Sequence, residues 1–341
     1  MINYYFAGAL TPNGFISYFE DIPDSNTDKL IIIKGTAGSG KSTLMKKIAE
    51  KYKKDFTVKC YKCYSCPNSL DGVKIQEKKI ILLDGTAPHV VEASHANDTI
   101  FNMFDFIDTE KLLPYSDNIK DINIRISETK SRFNKYLKSC SFYLENITEY
   151  LSKCLNKDGI FSECEKLFES VKLGANKGNI KRMFLSSPSP QIPDNLISYN
   201  ENYYDNYISV NSKFNVASKL LITNLYEKIM KENLRADVFF DYLEPDKVKY
   251  IYINGYFVSA DDDEKASRKI NLDKYFSSAD FKIYSEIYKS DSLMFKKALL
   301  TAKKLLEESN AIHDELEKYY YTAIDFKALD KATEKLMQSF D

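Results

Sequence analysis

One segment constrains the fold more than any other. Leu30-Ile31-Ile32-Ile33-Lys34 is a short β-branched run, and Gly35-Thr36-Ala37-Gly38-Ser39-Gly40-Lys41-Ser42 follows it at once. Beyond lie Leu44, Met45, Ile48 and Ala49 at helical spacing. Buried strand, G-x-x-x-x-G-K-S and helix, in that order, form the setting of a phosphate-binding loop. Glycines at 35, 38 and 40 allow the backbone to wrap an anion closely. The loop N–H groups and the positive end of the new helix then face that anion. On this reading Gly35, Thr36, Ala37, Gly38, Ser39, Gly40, Lys41, Ser42 and Thr43 hold the phosphates of a nucleoside triphosphate. Lys41 reaches the β- and γ-phosphates, and the Ser42 hydroxyl ligates Mg²⁺.

A second signal sits about 40 residues downstream. Lys78-Lys79-Ile80-Ile81-Leu82-Leu83-Asp84 is an apolar run that ends in an acid. An acid at the end of a neighbouring strand holds Mg²⁺ through water in such proteins, so Asp84 is the second candidate metal residue. Asp55 to Tyr61 reads as a further strand between the two. Strand, loop, helix, strand, strand implies an α/β fold on a parallel sheet.

The residues after Asp84 bear on chemistry. The chain reads Asp84-Gly85-Thr86-Ala87-Pro88-His89. No Glu follows the Asp, so the hydrolytic base of many motor-type ATPases is missing at its usual place. The guanine-reading N-K-x-D pattern is absent as well, which favours ATP. Asp84-Gly85-x-x-Pro88 is similar to the D-G-F-P segment of adenylate-kinase-type phosphotransferases, with His89 where they carry Arg. Lys41, Asp84 and His89 are therefore the candidate catalytic residues, His89 as acid, base or donor near the γ-phosphate. His95 falls in the same loop.

Cys60, Cys63 and Cys66 are spaced as C-x-x-C-x-x-C, but position 69 is Ser69 and a fourth ligand is missing. The run also starts on a strand, where successive side chains point to opposite faces. Thiols in the core or at the surface are the expectation for these and for Cys140, Cys154 and Cys164.

The second half of the chain echoes the first. Phe15–Glu20 matches Leu196–Glu201, Phe6–Pro12 runs parallel to Phe184–Pro190, and Ile80–Gly85 matches Tyr250–Gly255. Phe133, Leu137, Leu144 and Glu145 match Phe295, Leu299, Leu306 and Glu307 at one offset. Ordered matches of this kind imply tandem duplication. The second copy has Asn211–Ser218 opposite the phosphate loop, without its glycines and lysine, and Asn254 opposite Asp84. Each half then ends in periodic helical stretches, from Asp117 to about Leu155 and from Met294 to Tyr321, read as hairpins. A sharper alternative makes them a lid or partner-docking arm that carries Arg125 and Arg132 toward the phosphates. The expected division is 1–172, a P-loop module with its helical hairpin, and 173–341, a degenerate second module with another. The stretch from Lys172 to Asn195 is the least ordered in composition. About four strands per half are legible, so the halves are expected to complete each other's sheets.

The segments 35–48, 67–73 (P-N-S-L-D-G-V), 84–90 (D-G-T-A-P-H-V) and 313–320 (H-D-E-L-E-K-Y-Y) resemble one family. It is a little-characterised bacterial family of tandem P-loop ATP-binding proteins of Gram-positive anaerobes and bacilli. The resemblance spans nearly the whole chain. It implies a three-layer P-loop NTPase fold, internally duplicated, with ATP and Mg²⁺ bound and ATPase or nucleotide-kinase activity. Family members carry two phosphate loops, whereas only the first half matches here. A cysteine on the second strand also recurs in such proteins, and Cys63 occupies that place.

Size and charge set the remaining bounds. The 341 residues suit two domains. A formal net charge of −1 gives no nucleic-acid signal. No apolar run nears the roughly 20 residues that cross a bilayer. No signal peptide is visible, and six cysteines in such a chain read as reduced thiols, so a cytoplasmic protein is expected. Three readings result: a Mg-ATP-binding protein that works as a slow ATPase or nucleotide-dependent switch, with a protein partner on its helical hairpins; a phosphotransferase acting on a nucleoside or nucleotide; or a non-catalytic nucleotide-binding scaffold.

Overall fold

The computed structural model describes the chain except residues 25–26, 190–194, 198–199, 201–202, 204 and 341. Parts of the proposed repeats at 184–190 and 196–201, and of the loop-rich stretch 172–195, lie outside the described residues.

In chain order the first half gives β1 (Ile2–Tyr5), β2 (Gly8–Thr11), β3 (Gly14–Ser17), β4 (Lys29–Lys34), α1 (Lys41–Tyr52), β5 (Val58–Lys62), β6 (Leu70–Ile75), β7 (Ile80–Asp84) and β8 (Thr99–Asn102). Then come α2 (Ser116–Ser152) and α3 (Lys157–Lys172). The second half gives β9 (Ile180–Phe184), β10 (Tyr207–Asn211), α4 (Val216–Lys231), β11 (Ala236–Phe240), β12 (Val248–Ile253), β13 (Tyr256–Ser259) and β14 (Arg268–Asn271), then α5 (Ser278–Ala323) and α6 (Phe326–Gln338).

The protein is α/β with two six-stranded sheets. Their orders are β1-β5-β6-β7-β4-β8 and β9-β11-β12-β13-β10-β14, with β2 and β3 as a separate hairpin. The pairing sense also agrees. The second and third strands in each order, and the third and fourth, are antiparallel, and the other pairs are parallel. The expected parallel sheet is therefore corrected to a mixed one. A short hairpin reverses the chain between β6 and β7, and the short apolar runs alone do not reveal strand direction.

The expectation of shared sheets is corrected too. Each half completes its own six strands, and a backbone bridge joins the sheets at their edges. Phe6 and Phe184, just after β1 and at the end of β9, exchange backbone hydrogen bonds of 3.0 and 2.9 Å. Around this seam the side chains merge into one core. Tyr5 stacks on Phe239 with ring centroids 6.1 Å apart, and the Asn200 side chain accepts from the Tyr4 N–H at 2.7 Å.

Strand alternation divides the first sheet's faces. Ile31, Ile33, Ile80 and Leu82 pack with Leu44, Met45 and Ile48 of α1 and with Leu329 of α6. Leu30, Ile32, Ile81 and Leu83 face the core that both halves share. This period of two is what a strand buried on both faces requires.

The long helices are not two hairpins. α2 and α5 pack against each other, antiparallel: Arg125 meets Glu315 near one end, and Tyr150 stacks on Tyr284 at the other. Each arm thus runs from its own sheet to the opposite one. Leu155, after α2, bridges Phe276, and Ile324, after α5, bridges Ile107. The short helices land accordingly: α3 packs on α4 of the second half, and α6 packs on the first sheet. A cut at 172/173 separates the sheets but leaves α3 with the half it does not pack on. Among the described residues, no helix is long and apolar enough to cross a membrane.

Candidate functional site

The candidate site is built at one end of the first sheet. β4 leads into residues 35–40, and α1 begins at Lys41 with Gly40 in the left-handed region at φ 90°. Gly38 is also left-handed, at φ 71°. The first helical bond runs from the Leu44 N–H to the Gly40 carbonyl at 3.0 Å. The N–H groups of Lys41, Ser42 and Thr43 therefore have no intrahelical acceptor and point out of the helix N-terminus. Ser39 is buried and its hydroxyl donates to the Thr36 carbonyl at 2.8 Å, which closes the loop on itself. Lys41 Nζ donates to the carbonyls of Gly35 and Thr36 at 2.8 and 2.7 Å and lies 3.6 Å from Asp84 Oδ2.

Asp84 ends β7 directly beside Ile33, the penultimate residue of β4. Its Oδ1 accepts from the Thr86 N–H at 2.8 Å, and the Thr86 hydroxyl donates to the Gly35 carbonyl at 3.0 Å. These bonds tie the 84–89 segment to the loop. The Ser42 hydroxyl accepts from the Leu70 N–H at 3.0 Å, at the start of β6.

His89 is buried between two aromatic rings, stacked on Phe19 at 4.7 Å and tilted against Phe15 at 5.3 Å. Its Nε2 lies 3.5 Å from Asp71 Oδ2, and its Nδ1 has no hydrogen-bond partner among the described residues. Burial, with Lys41 and Lys130 nearby, pushes its pKa down to about 4, so the ring is neutral near pH 7. Asp71 was not singled out in the sequence, although it stands inside the 67–73 segment. Burial, followed by the charge of Asp84, pushes its carboxyl up to about 8. The only sequence signal for it is an acid within an otherwise well-buried strand. β6 has a bulge between its pairings of Leu70 with Lys62 and Gly72 with Tyr61, and Asp71 is the residue so extruded.

The other sequence-singled residues fall outside this group. His95 is exposed, beside Asp98. Arg125 is held by Glu315 at 3.1 Å, and Arg132 is exposed. Cys60 is buried in β5, and Cys63 and Cys66 lie in the following connection as free thiols. Burial pushes the Cys63 thiol up to about 12, and no metal-capable group among the described residues contains a cysteine.

The segment 313–320 lies on the 35–40 loop itself. A Cβ added at Gly38 would meet the Glu317 Cα at 2.9 Å. Ala37 packs on a small cluster of Ile122, Ile126, Ile312 and Leu316 from both arms. Asn310 Nδ2 donates to the Ser65 carbonyl at 2.7 Å. The end of α5, which comes from the second half, thus roofs the loop of the first.

Register locates the corresponding place in the second half. Val210 pairs with Ile270 as Ile33 pairs with Phe101, and both helix N-caps, Asn215 and Gly40, are left-handed. Val216 therefore stands where Lys41 does, and the connection has four residues (212–215) instead of six (35–40). Extending the pairing of Ser209 with Ser259 places Ala260, not Asn254, opposite Val210. This corrects the match of Tyr250–Gly255 with Ile80–Gly85. Asn254 sits in the β12–β13 turn at φ 50°, as Lys79 does between β6 and β7 at φ 56°. Both segments are apolar runs before a polar residue, and strand order alone tells them apart. The residue skipped at the β12 bulge, in the place of Asp71, is Lys249, 3.3 Å from Asp261.

A cleft of about 500 Å³ lies at the opposite ends of the strands, between the sheets, lined by Lys59, Lys74, Lys181 and Arg235 with Asp24 and Asp237. None of residues 35–43 lines it. Compared with family models, curated proteins and solved structures, the chain finds no match in any of the three.

Proposed function

We propose that the first half binds Mg-ATP and that the protein is a slow ATPase or nucleotide-dependent switch. The observation that carries this reading is the convergence of three things at one strand end: outward first-turn N–H groups of α1, the Lys41 ammonium, and the Asp84 carboxylate 3.6 Å from it. This is a preorganised anion site with a cation-holding acid beside it. The residues fit a magnesium ion: Ser42 Oγ keeps a free lone pair beside the bond from Leu70, and Asp84 Oδ2 is not taken by a backbone donor. Such an ion supplies charge neutralisation between the β- and γ-phosphates. Lys41 turns from its two carbonyls to the phosphates, and Thr86 keeps Asp84 oriented.

Slow turnover is expected from the absence of a Glu after Asp84 and from the buried, neutral His89. The switch element is the roof. Glu317 backbone stands against Gly38, so any expansion of the loop around a phosphate presses on α5, and α5 reaches the second sheet. We infer further that the two halves derive from one P-loop unit, supported by their common strand order, and that the second has lost its ligand. The kinase reading gains no arginine from the arms.

The test compares the chain with Lys41→Ala. Calorimetric Mg-ATP binding that is lost in the variant supports the reading, and slow release of ADP with phosphate supports the ATPase part. Equal binding by both proteins, or none by either, refutes it.

A further inference from the structure

We propose that Asp71, Asp84 and His89 form a site for one transition-metal ion of the borderline class, such as Zn²⁺, Mn²⁺ or Fe²⁺. One ligand atom from each residue lies within 4.8 Å of the other two, and all three side chains are buried, at 7, 7 and 6% exposure. A modest contraction brings three such donors to metal-bond distance.

Three observations point to a cation. First, β6 and β7 pair Gly72 with Leu83, so Asp71 and Asp84 are directly opposite in adjacent strands. Two ionised carboxylates there would repel, and a divalent cation between them removes that cost. Second, the Phe15 and Phe19 rings fix the buried imidazole with its Nε2 3.5 Å from Asp71 Oδ2, so a ring nitrogen is already aimed at the carboxylates. Third, the second half carries its own cation in this place. Lys249 occupies the position of Asp71 and pairs with Asp261. The first half has two acids and an imidazole there, and Lys41 near only one of them.

The donor set selects the metal. Imidazole nitrogen with two carboxylates suits Zn²⁺, Mn²⁺ or Fe²⁺, whereas Mg²⁺ prefers oxygen and keeps its waters. One outer partner is present: the Thr86 N–H donates to Asp84 Oδ1. Three protein ligands leave a coordination position open. The site shares Asp84 with the nucleotide reading above but does not depend on it.

The test uses Co²⁺ alone, without nucleotide, on chelator-stripped protein, followed by calorimetry and visible ligand-field absorption. One ion per chain is expected. His89→Gln and Asp71→Asn should each weaken it at least about tenfold. Lys41→Ala, which removes nucleotide binding on the reading above, should keep it. Thermal melting without metal shows that the variants fold, and Co²⁺ should raise the wild-type midpoint only. Absence of saturable binding overturns the proposal. So does unchanged binding in His89→Gln, or a loss caused instead by Cys63→Ser or by His313→Ala, which would place the ion on a thiol or on the partly exposed His313, Asp314 and Glu317 group.

Discussion

The two sheets share one strand order, yet their functional ends have opposite electrostatic designs. In the first, Lys41 starts the helix and Asp71, Asp84 and His89 crowd the strand ends. In the second, Val216 starts the helix, the loop is two residues shorter, and charges are neutralised internally: Lys249 with Asp261, and Lys219 with Glu244. On the proposed reading, the first end is built around charge that comes from outside. The second is complete as it stands. A strand order therefore fixes where a site can be, and a few side chains decide whether there is one.

The largest expected effect comes from exchanging the helix-start residues. Lys41→Val should lower Mg-ATP affinity by at least about 100-fold, roughly 3 kcal/mol, while Val216→Lys should create no binding, because the shortened loop has no glycine to wrap a phosphate. Isothermal titration of both variants checks this, and ATP binding gained by Val216→Lys would break the comparison.

Next are the bulge residues. Lys249→Met removes the ammonium beside Asp261, which also accepts from the Tyr250 hydroxyl at 2.6 Å. Because the pair is partly exposed, the loss should be about 1–3 kcal/mol. Asp71→Asn in metal-free protein should instead leave stability unchanged or raise it, since burial beside Asp84 already disfavours the ionised carboxyl. Urea unfolding of both variants measures the contrast, and equal losses would erase it.

Smaller still is the difference between the left-handed cap regions. Gly38→Ala adds a Cβ at φ 71° against Glu317 and should cost about 1–2 kcal/mol. Asn215→Gly, at φ 57°, should stay within about 0.5 kcal/mol. Melting midpoints report both, and a larger loss at Asn215 would show that the second cap carries a constraint of its own.

The smallest effect concerns the seam between the sheets. Burial alone would raise the Asp24 pKa, but hydrogen bonds from Lys181 and Lys74 outweigh it and hold the carboxyl well below the usual range. A depressed carboxylate stabilises above its unfolded pKa near 4, and that contribution is lost as pH falls through the folded value. Wild type should therefore lose stability below about pH 4 more steeply than Asp24→Asn, by roughly 1 kcal/mol. Parallel acid-unfolding curves would show the clamp to be irrelevant.

The sequence by itself determined the local elements that carry their own signals. The run 30–34, its glycine loop and helix α1 were legible because strand alternation, glycine spacing and helical periodicity are short-range patterns. So was the placing of Asp84 at a strand end. The tertiary structure alone decided what depends on contacts between distant residues. It made β6 antiparallel, gave each half six strands and sent α2 and α5 across to opposite sheets. It matched Lys249 with Asp71 through bulges that no periodicity marks. It also set Glu317 on Gly38 and gathered Asp71 with Asp84 and His89, because packing brings side chains together by strand pairing and burial rather than by separation along the chain.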